Sequence, residues 1–506
     1  WFRARLRYPD ARAPGGQVDV SGFTLPGIPA VIVGSNGHVA WGFTNSYGDW
    51  LDFYRVEFTD EDKLKYRVPD GVAALRIASE WIQVKDGEPV ELKVRETRWG
   101  PITRELPDGT TLALRWTAQL PGSLNFGLAD LAYAGNLDHG LAIADTAGIP
   151  AQNLMMADRD GRIAWRLTAQ MPERAGDCAP RAPLQVAQAC RWAGWLPPTE
   201  NPSLVDPADG VLWTANARVV DGAALDLVGD AGYANGARAK QIRDFLQSKP
   251  TLSEADLLAL QLDDRALFLA RWHALLLAEA ASSGNADLQA LAAATADWSG
   301  RADVDSAGYR LVRGWRLAVV ERLQNGLTAP AQAALGEEFV MPDLPQIESV
   351  AWPLLQSRPA HLLPRRFETW DALLADAARE LRAQLGAAGP LEQRHWGERN
   401  TARICHPLAG ALPGLLRGTL CMPAEPLRGD GHMPLVQSPG FGASQRMVVS
   451  PGREAEGYGH MPGGQSGHPL SPFWGAGHAA WVKGEPTPFL PGAPAHRLDL
   501  QPGANP

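Results

Sequence analysis

The 506-residue chain is 45% hydrophobic and 20% charged, an ordinary globular composition with enough apolar material for a large core, which excludes a disordered or collagen-like polymer. Its 47 Lys+Arg against 56 Asp+Glu leave a net charge of -9 without a basic run, a poor match to nucleic acid, whose phosphates need clustered Lys and Arg. No apolar stretch approaches the roughly 18 residues that span a bilayer. The numbering opens on Trp1-Phe2-Arg3, with neither an initiator Met nor a signal-peptide pattern, so a processed product or a fragment is expected.

The first half reads as β-rich. Apolar runs over Ile28 to Val33 and Val39 to Thr44 flank Ser35-Asn36-Gly37-His38, and an Asn-Gly step between such runs predicts a hairpin turn. The pattern recurs with Asn153 to Ala157 and Arg162 to Leu167 around Asp158-Arg159-Asp160-Gly161. Cys178 and Cys190 form one close pair and Cys405 and Cys421 another. Two local pairs suit two small disulfide loops in an oxidising compartment; four unrelated reduced thiols is the other reading. No Cys-x-x-Cys supports zinc.

The character changes near Pro250. Thr251-Leu252-Ser253-Glu254 reads as a capping box with Thr251 as the cap. Leu257, Leu258, Leu260, Leu262, Leu267 and Leu269 follow in a helical run, and further helices are predicted over 286–298, 306–327 and 367–387. From about 390 the helix signals vanish. Gly and Pro crowd 423–493, with β-prone pieces such as Met447-Val448-Val449 and with Trp474 and Trp481 to bury. The chain therefore divides into a β-rich core part over 1–245, a helical region over 246–390, and strands and loops over 391–506 that complete the core. No 20–50-residue repeat points to a propeller or solenoid.

Several signatures are missing: no phosphate-binding Gly loop, no HExxH. Gly464-Gln465-Ser466-Gly467-His468 approaches a nucleophile elbow but ends on His, which disfavours Ser466 as a nucleophile. His432, His460, His468 and His478 are too widely spaced in loops to read as a metal site and are expected to hydrogen-bond or face solvent.

The segment from Ser21 to Arg55 says more. Leu25-Pro26-Gly27-Ile28-Pro29 leads into the first hairpin, Val39-Ala40-Trp41-Gly42-Phe43-Thr44-Asn45 leaves it, and Gly48-Asp49-Trp50-Leu51-Asp52 follows. This PGxP lead-in, G-x-N-G turn, AWGxT strand and D-x-x-D pair resemble the large β subunit of the penicillin acylase family of N-terminal-nucleophile hydrolases. Asn153 to Trp165, Trp213-Thr214-Ala215-Asn216, and Gly463-Gly464-Gln465-Ser466-Gly467 with Pro469, Ser471 and Trp481 look like later blocks of the same family. Four blocks in order carry the likeness across the whole chain.

The resemblance implies an α+β fold, a four-layer αββα sandwich of antiparallel sheets with a helical insertion. It implies hydrolysis of the amide of an N-acyl compound, a penicillin or an N-acyl-homoserine lactone, through an acyl-enzyme. The nucleophile implied is a Ser at the start of the β subunit, some tens of residues upstream of Trp1, with its own α-amine as base; such an amine titrates near about 7.7–8.0. Gly34-Ser35-Asn36 mimics the family's cleavage step but aligns with the hairpin turn. A small α subunit from the same precursor and a periplasmic or secreted location are also implied. The backbone N–H of Asn45 and the side-chain amide of Asn216 are the implied oxyanion donors, and Arg238 positions that amide. Asp49, the Leu51 carbonyl and Asp52 match ligands of a structural calcium. Val31, Val33 and Leu154 are the expected lining of an acyl pocket. The competing class is a non-catalytic, calcium-stabilised secreted binding protein or an inactive fragment; a regular Trp repeat, which would mark a glycan binder, is absent.

Overall fold

The Asn-Gly turn closes its hairpin through a buried side chain. In the computed structural model, which describes residues 1–501 apart from 169, 177, 179–182, 186–189 and 231, Asn36 is buried. Its Oδ1 accepts from the His38 and Val39 amides at 2.9 and 2.8 Å, and its Nδ2 donates to the carbonyls of Leu131 and Ala134 at 3.0 and 2.8 Å. Gly37 takes the positive φ (83°) that the turn requires. Ser35 is buried beside it and donates to Glu454 at 2.8 Å. The strand entering the turn is shorter than the apolar run predicts. It covers only Val33–Ser35, because Gly27 sits at φ 81° and Pro29 has no N–H for a ladder.

Phe2–Pro9 (β1), Gln17–Thr24 (β2), Val33–Ser35 (β3) and Val39–Asn45 (β4) stand side by side, and Gln152–Asp158, Ile163–Thr168 and Ser203–Val205 extend them to a seven-stranded antiparallel sheet. Alternation then gives β4 two faces. Val39 and Trp41 pack with Leu154 and Met156 against the helix Leu137–Thr146 (α1). Ala40, Gly42 and Thr44 look the other way, where Met447 stands opposite Gly42. A second sheet of five strands begins with Leu51–Arg55 (β5), which pairs with Thr111–Trp116 and so sets Asp52 opposite Arg115.

Helices follow: Gly222–Val228 (α2), Ala237–Leu246 (α3), Glu254–Gln261 (α4), Leu267–Ser283 (α5), Ala286–Ala293 (α6), Ala307–Leu335 (α7), Glu348–Ser357 (α8) and Trp370–Gly386 (α9). Trp272, Leu276, Tyr309 and Trp315 are wholly buried among them. The α4 cap lies two residues later than the sequence pattern predicts. Ser253 accepts from the Asp256 amide at 3.2 Å, and Asp256 accepts from the Ser253 amide at 3.0 Å. Glu254 is drawn away instead, accepting from Ser450 and Arg453 of the tail at 2.6 and 2.7 Å. The tail also contains short helices at Trp396–Arg399, Gly414–Arg417 and His478–Lys483, and Arg446–Val448 pairs with Tyr458–His460. Both cysteine pairs are disulfides, Cys178–Cys190 and Cys405–Cys421.

Asn36→Ala would strip two buried carbonyls and two turn amides of their partner. It is expected to cost about 2–4 kcal/mol, read as a lower denaturation midpoint at unchanged m-value.

Candidate active site

β4 ends on Asn45, and the loop after Trp213 returns to it. Thr44 and Thr214 hydrogen-bond through their hydroxyls at 3.0 Å, which brings Asn216 alongside. The Asn216 Nδ2 donates to the Asn45 carbonyl at 2.9 Å. Its Oδ1 accepts from Arg238 Nη2 at 3.0 Å, which also settles which end of the amide is oxygen. One amide N–H of Asn216 is left without an acceptor among the described residues. Asn216 lies at φ 64° and Ala215 before it at φ 154°; Asn accepts the left-handed region better than most residues, and Ala215 is the strained partner. The Ala234 amide ties down the Asn216 carbonyl at 2.9 Å.

Behind this pair stands a buried support. Asn153, opposite Thr44 in register, donates to the Thr44 hydroxyl at 3.2 Å and to the Asn45 carbonyl at 3.3 Å, while Trp165 Nε1 donates to its Oδ1 at 3.1 Å. Arg238 sits in the first turn of α3, where the helix dipole opposes a cation. Burial lowers its pKa further, with Tyr47 acting in the opposite sense. Its Nε is buried and donates to no described atom.

Thr44, Thr214, Ala215 and Arg238 form one end of a cavity of about 550 Å³. The remaining wall is mostly apolar, including Met155, Ile163, Leu212, Trp213, Ile242 and Met447. A cavity of about 650 Å³ lies elsewhere, by Phe2, Arg3 and His460. It is larger, but none of the Asn45, Asn216 and Arg238 group lines it, so chemistry and not size places the site.

The chain matches the model of the penicillin amidase family over residues 1–495. It belongs to the penicillin amidase family. It is 27% identical over 498 residues to penicillin acylase 2 proenzyme from Pseudomonas sp. strain SE83, with 93% of this chain and 61% of the relative covered. It is 25% identical over 554 residues to the acyl-homoserine lactone acylase QuiP of Pseudomonas aeruginosa, with 97% and 63% covered. The chain thus spans about three fifths of the length of these relatives, 61% and 63%. Among solved structures it resembles the thermostable penicillin G acylase of Alcaligenes faecalis, at a TM-score of 0.72 and 18% identity over 99% of this chain and 95% of that one. The α+β N-terminal-nucleophile hydrolase fold with its helical insertion is the fold seen here.

Within this penicillin amidase chain, Asn45, Asn216 and Arg238 meet. Val31, Val33 and Leu154 do not join them. Val31 and Leu154 are buried in the core on the α1 side of the sheet, and Val33 packs with Phe23 and Phe489. The cavity wall contains Met155 instead, one residue along and so on the opposite face.

Asp49 and Asp52 do converge, but on Arg174. Its Nε donates to Asp52 at 3.0 Å, and its Nη2 meets the Asp49 carboxylate at 3.2 Å and the Asp49 carbonyl at 2.8 Å. Leu51 between them is an exposed residue of β5. Among the described residues no three His, Cys, Asp or Glu side chains gather to hold a metal. Two carboxylates already taken by a guanidinium do not fit a calcium ion, which needs six to eight free oxygens.

The tail histidines serve the fold. His478 Nδ1 pairs with the Pro462 carbonyl at 2.7 Å, His460 Nε2 with that of Glu485, and His468 Nδ1 accepts from the Leu470 amide at 3.1 Å. His432 stacks on Phe268 with ring centres 4.5 Å apart. Burial first, then Arg316 and Arg313, lower its pKa from 6.5 to about 4, against Asp430 and Glu348. The unfolded chain therefore takes up a proton that the folded chain refuses. The His432 contribution is flat above about pH 6.5, falls by about 3 kcal/mol as pH drops to about 4, and is flat again below. The difference in unfolding free energy between wild type and His432→Leu, measured by urea titration from pH 4.5 to 7.5, is expected to carry that slope.

Proposed function

We propose that this chain carries the anion-stabilising half of an amidase that hydrolyses N-acyl compounds through an acyl-enzyme. The observation that carries the reading is the Asn216 carboxamide, fixed between the Asn45 carbonyl and Arg238 beside an apolar cavity. A rigid donor at that place supplies what a tetrahedral intermediate needs, because its orientation is set before charge develops. The Asn45 backbone N–H is the second donor in this reading. The attacking group is the N-terminal hydroxyl that the family resemblance implies, on a β subunit paired with a small α subunit from the same precursor. It adds to the amide carbonyl, the amine leaves with a proton, and water releases the acid from the resulting ester.

The wall of the cavity selects the acyl group. Met155, Ile163, Leu212, Trp213 and Met447 favour an arylacetyl or fatty chain over a charged one. Penicillins and N-acyl-homoserine lactones are the two substrate classes proposed, in line with the names of the relatives. Two disulfides favour a periplasmic or secreted setting, and no described helix is long and apolar enough to cross a membrane.

The test is acid release from phenylacetyl and long-chain acyl amides by the complete precursor; no release from either class would sink the reading. Asn216→Gly keeps the left-handed backbone while removing the donor. It is expected to lower kcat about 10²–10³-fold in protein that is still folded at the assay temperature, with Tm also lowered because Arg238 loses its one hydrogen bond, measured by steady-state kinetics beside thermal unfolding.

A further inference from the structure

The family resemblance puts a divalent cation where this chain has placed an arginine. Arg174 lies on the strand Pro172–Ala175, opposite Trp192 of Arg191–Trp195. Its guanidinium fork spans both carboxylates and one carbonyl of the Asp49–Asp52 turn. Trp192 Nε1 donates to the same Asp52 oxygen that receives Arg174 Nε. The Trp192 ring is itself flanked by two guanidiniums, Arg174 at 5.3 Å and Arg115 at 5.1 Å from its centre. Arg115 stands opposite Asp52 in register, and its buried Nε has no hydrogen-bond partner among the described residues. Asp52 thus faces two fixed positive charges, and Asp49 shares one of them.

The surroundings close the turn from the other side. The Asp49 amide donates to the Val228 carbonyl at the end of α2 at 2.7 Å. At Gly229 a Cβ would stand 2.6 Å from the Asp49 Cβ, so only glycine fits there. The side chains of Asp52 and Arg174 are 10% and 18% exposed, so the pair is largely shielded from solvent screening. A calcium ion entering here would have to expel Arg174, break its three contacts, and still meet Arg115 as a like charge.

We propose that Arg174 takes the place of the structural cation, so that the Asp49–Asp52 turn is clamped without metal. A guanidinium suits this position because it is planar, permanently charged, and meets two oxygens with parallel donors. The clamp is a matter of fold stability and stands whether or not the neighbouring cavity hydrolyses amides.

Thermal unfolding of the purified full chain in excess EDTA and in excess calcium tests this directly, with the two Tm values expected to agree within about 1 °C. Arg174→Gln frees both carboxylates. It is expected to lower Tm by roughly 2–4 °C, to regain part of that loss with calcium, and to give terbium luminescence sensitised by Trp192 that the wild type lacks. If Arg174→Gln cannot be purified folded, Arg174→Lys keeps the charge and is expected to unfold below wild type yet ignore calcium. Calcium raising the Tm of the wild type or of Arg174→Lys overturns the proposal, and so does an Arg174→Gln variant with the wild-type Tm.

Discussion

A single carboxamide ties the sheet to a helix at the candidate site. Asn216 is committed at both ends, Nδ2 to the Asn45 carbonyl and Oδ1 to Arg238, and each commitment draws in a different part of the fold. Asn45 is the last residue of β4, so the sheet fixes one side. Arg238 belongs to the first turn of α3, so a helix fixes the other. The loop that bears Asn216 bridges them with two consecutive residues at positive φ. In the proposed role of oxyanion donor, a neutral amide suits this place because it adds no charge of its own and needs no reorganisation once its rotamer is locked.

The alternation of β4 explains why the cavity is where it is. Every second side chain, Val39 and Trp41, goes into a dry core against α1. The intervening Ala40 and Gly42 are too small to fill the other face, and the space beside them remains as cavity. The tail supplies the opposite wall with Met447, and it is fastened to the core at distant points. Glu254 at the start of α4 holds Ser450 and Arg453, Glu454 receives Ser35, and Arg3 reaches the Phe489 carbonyl at 2.8 Å. Residues hundreds of positions apart therefore share one site without one continuous domain to carry them.

Short-range physics made much of this legible in advance. The Asn36-Gly37 turn, the Asp158–Gly161 turn, and the starts of α6 and α7 depend on neighbours within a few residues. The meeting of Asn45, Asn216 and Arg238 was legible only through family resemblance, since nothing local links positions 45, 216 and 238. Three things stayed hidden for three reasons. Glu254 left the cap because Ser450, almost two hundred residues on, offered a better partner. Leu154 and Met155 exchanged roles because composition does not say which face of a strand is dry. Arg174 was silent because its meaning lies in Asp49 and Asp52, and a lone Arg in a β-run carries no local signal.

Arg174 and Arg238 show how surroundings turn one residue type to opposite uses. Arg174 is paired: two carboxylates and a carbonyl meet its Nε and Nη2 donors. Arg238 has no carboxylate partner among the described residues, one hydrogen bond to a neutral amide, and a buried Nε that donates to nothing described. A buried cation left short of an anion is a standing cost to the fold. That cost would fall if negative charge formed nearby, as the proposed reaction requires. In the two proposals, Arg174 thus supports the resting fold, whereas Arg238 is held ready for an anion that forms during the reaction. The two arginines differ in partnership: one faces two carboxylates, the other a neutral amide.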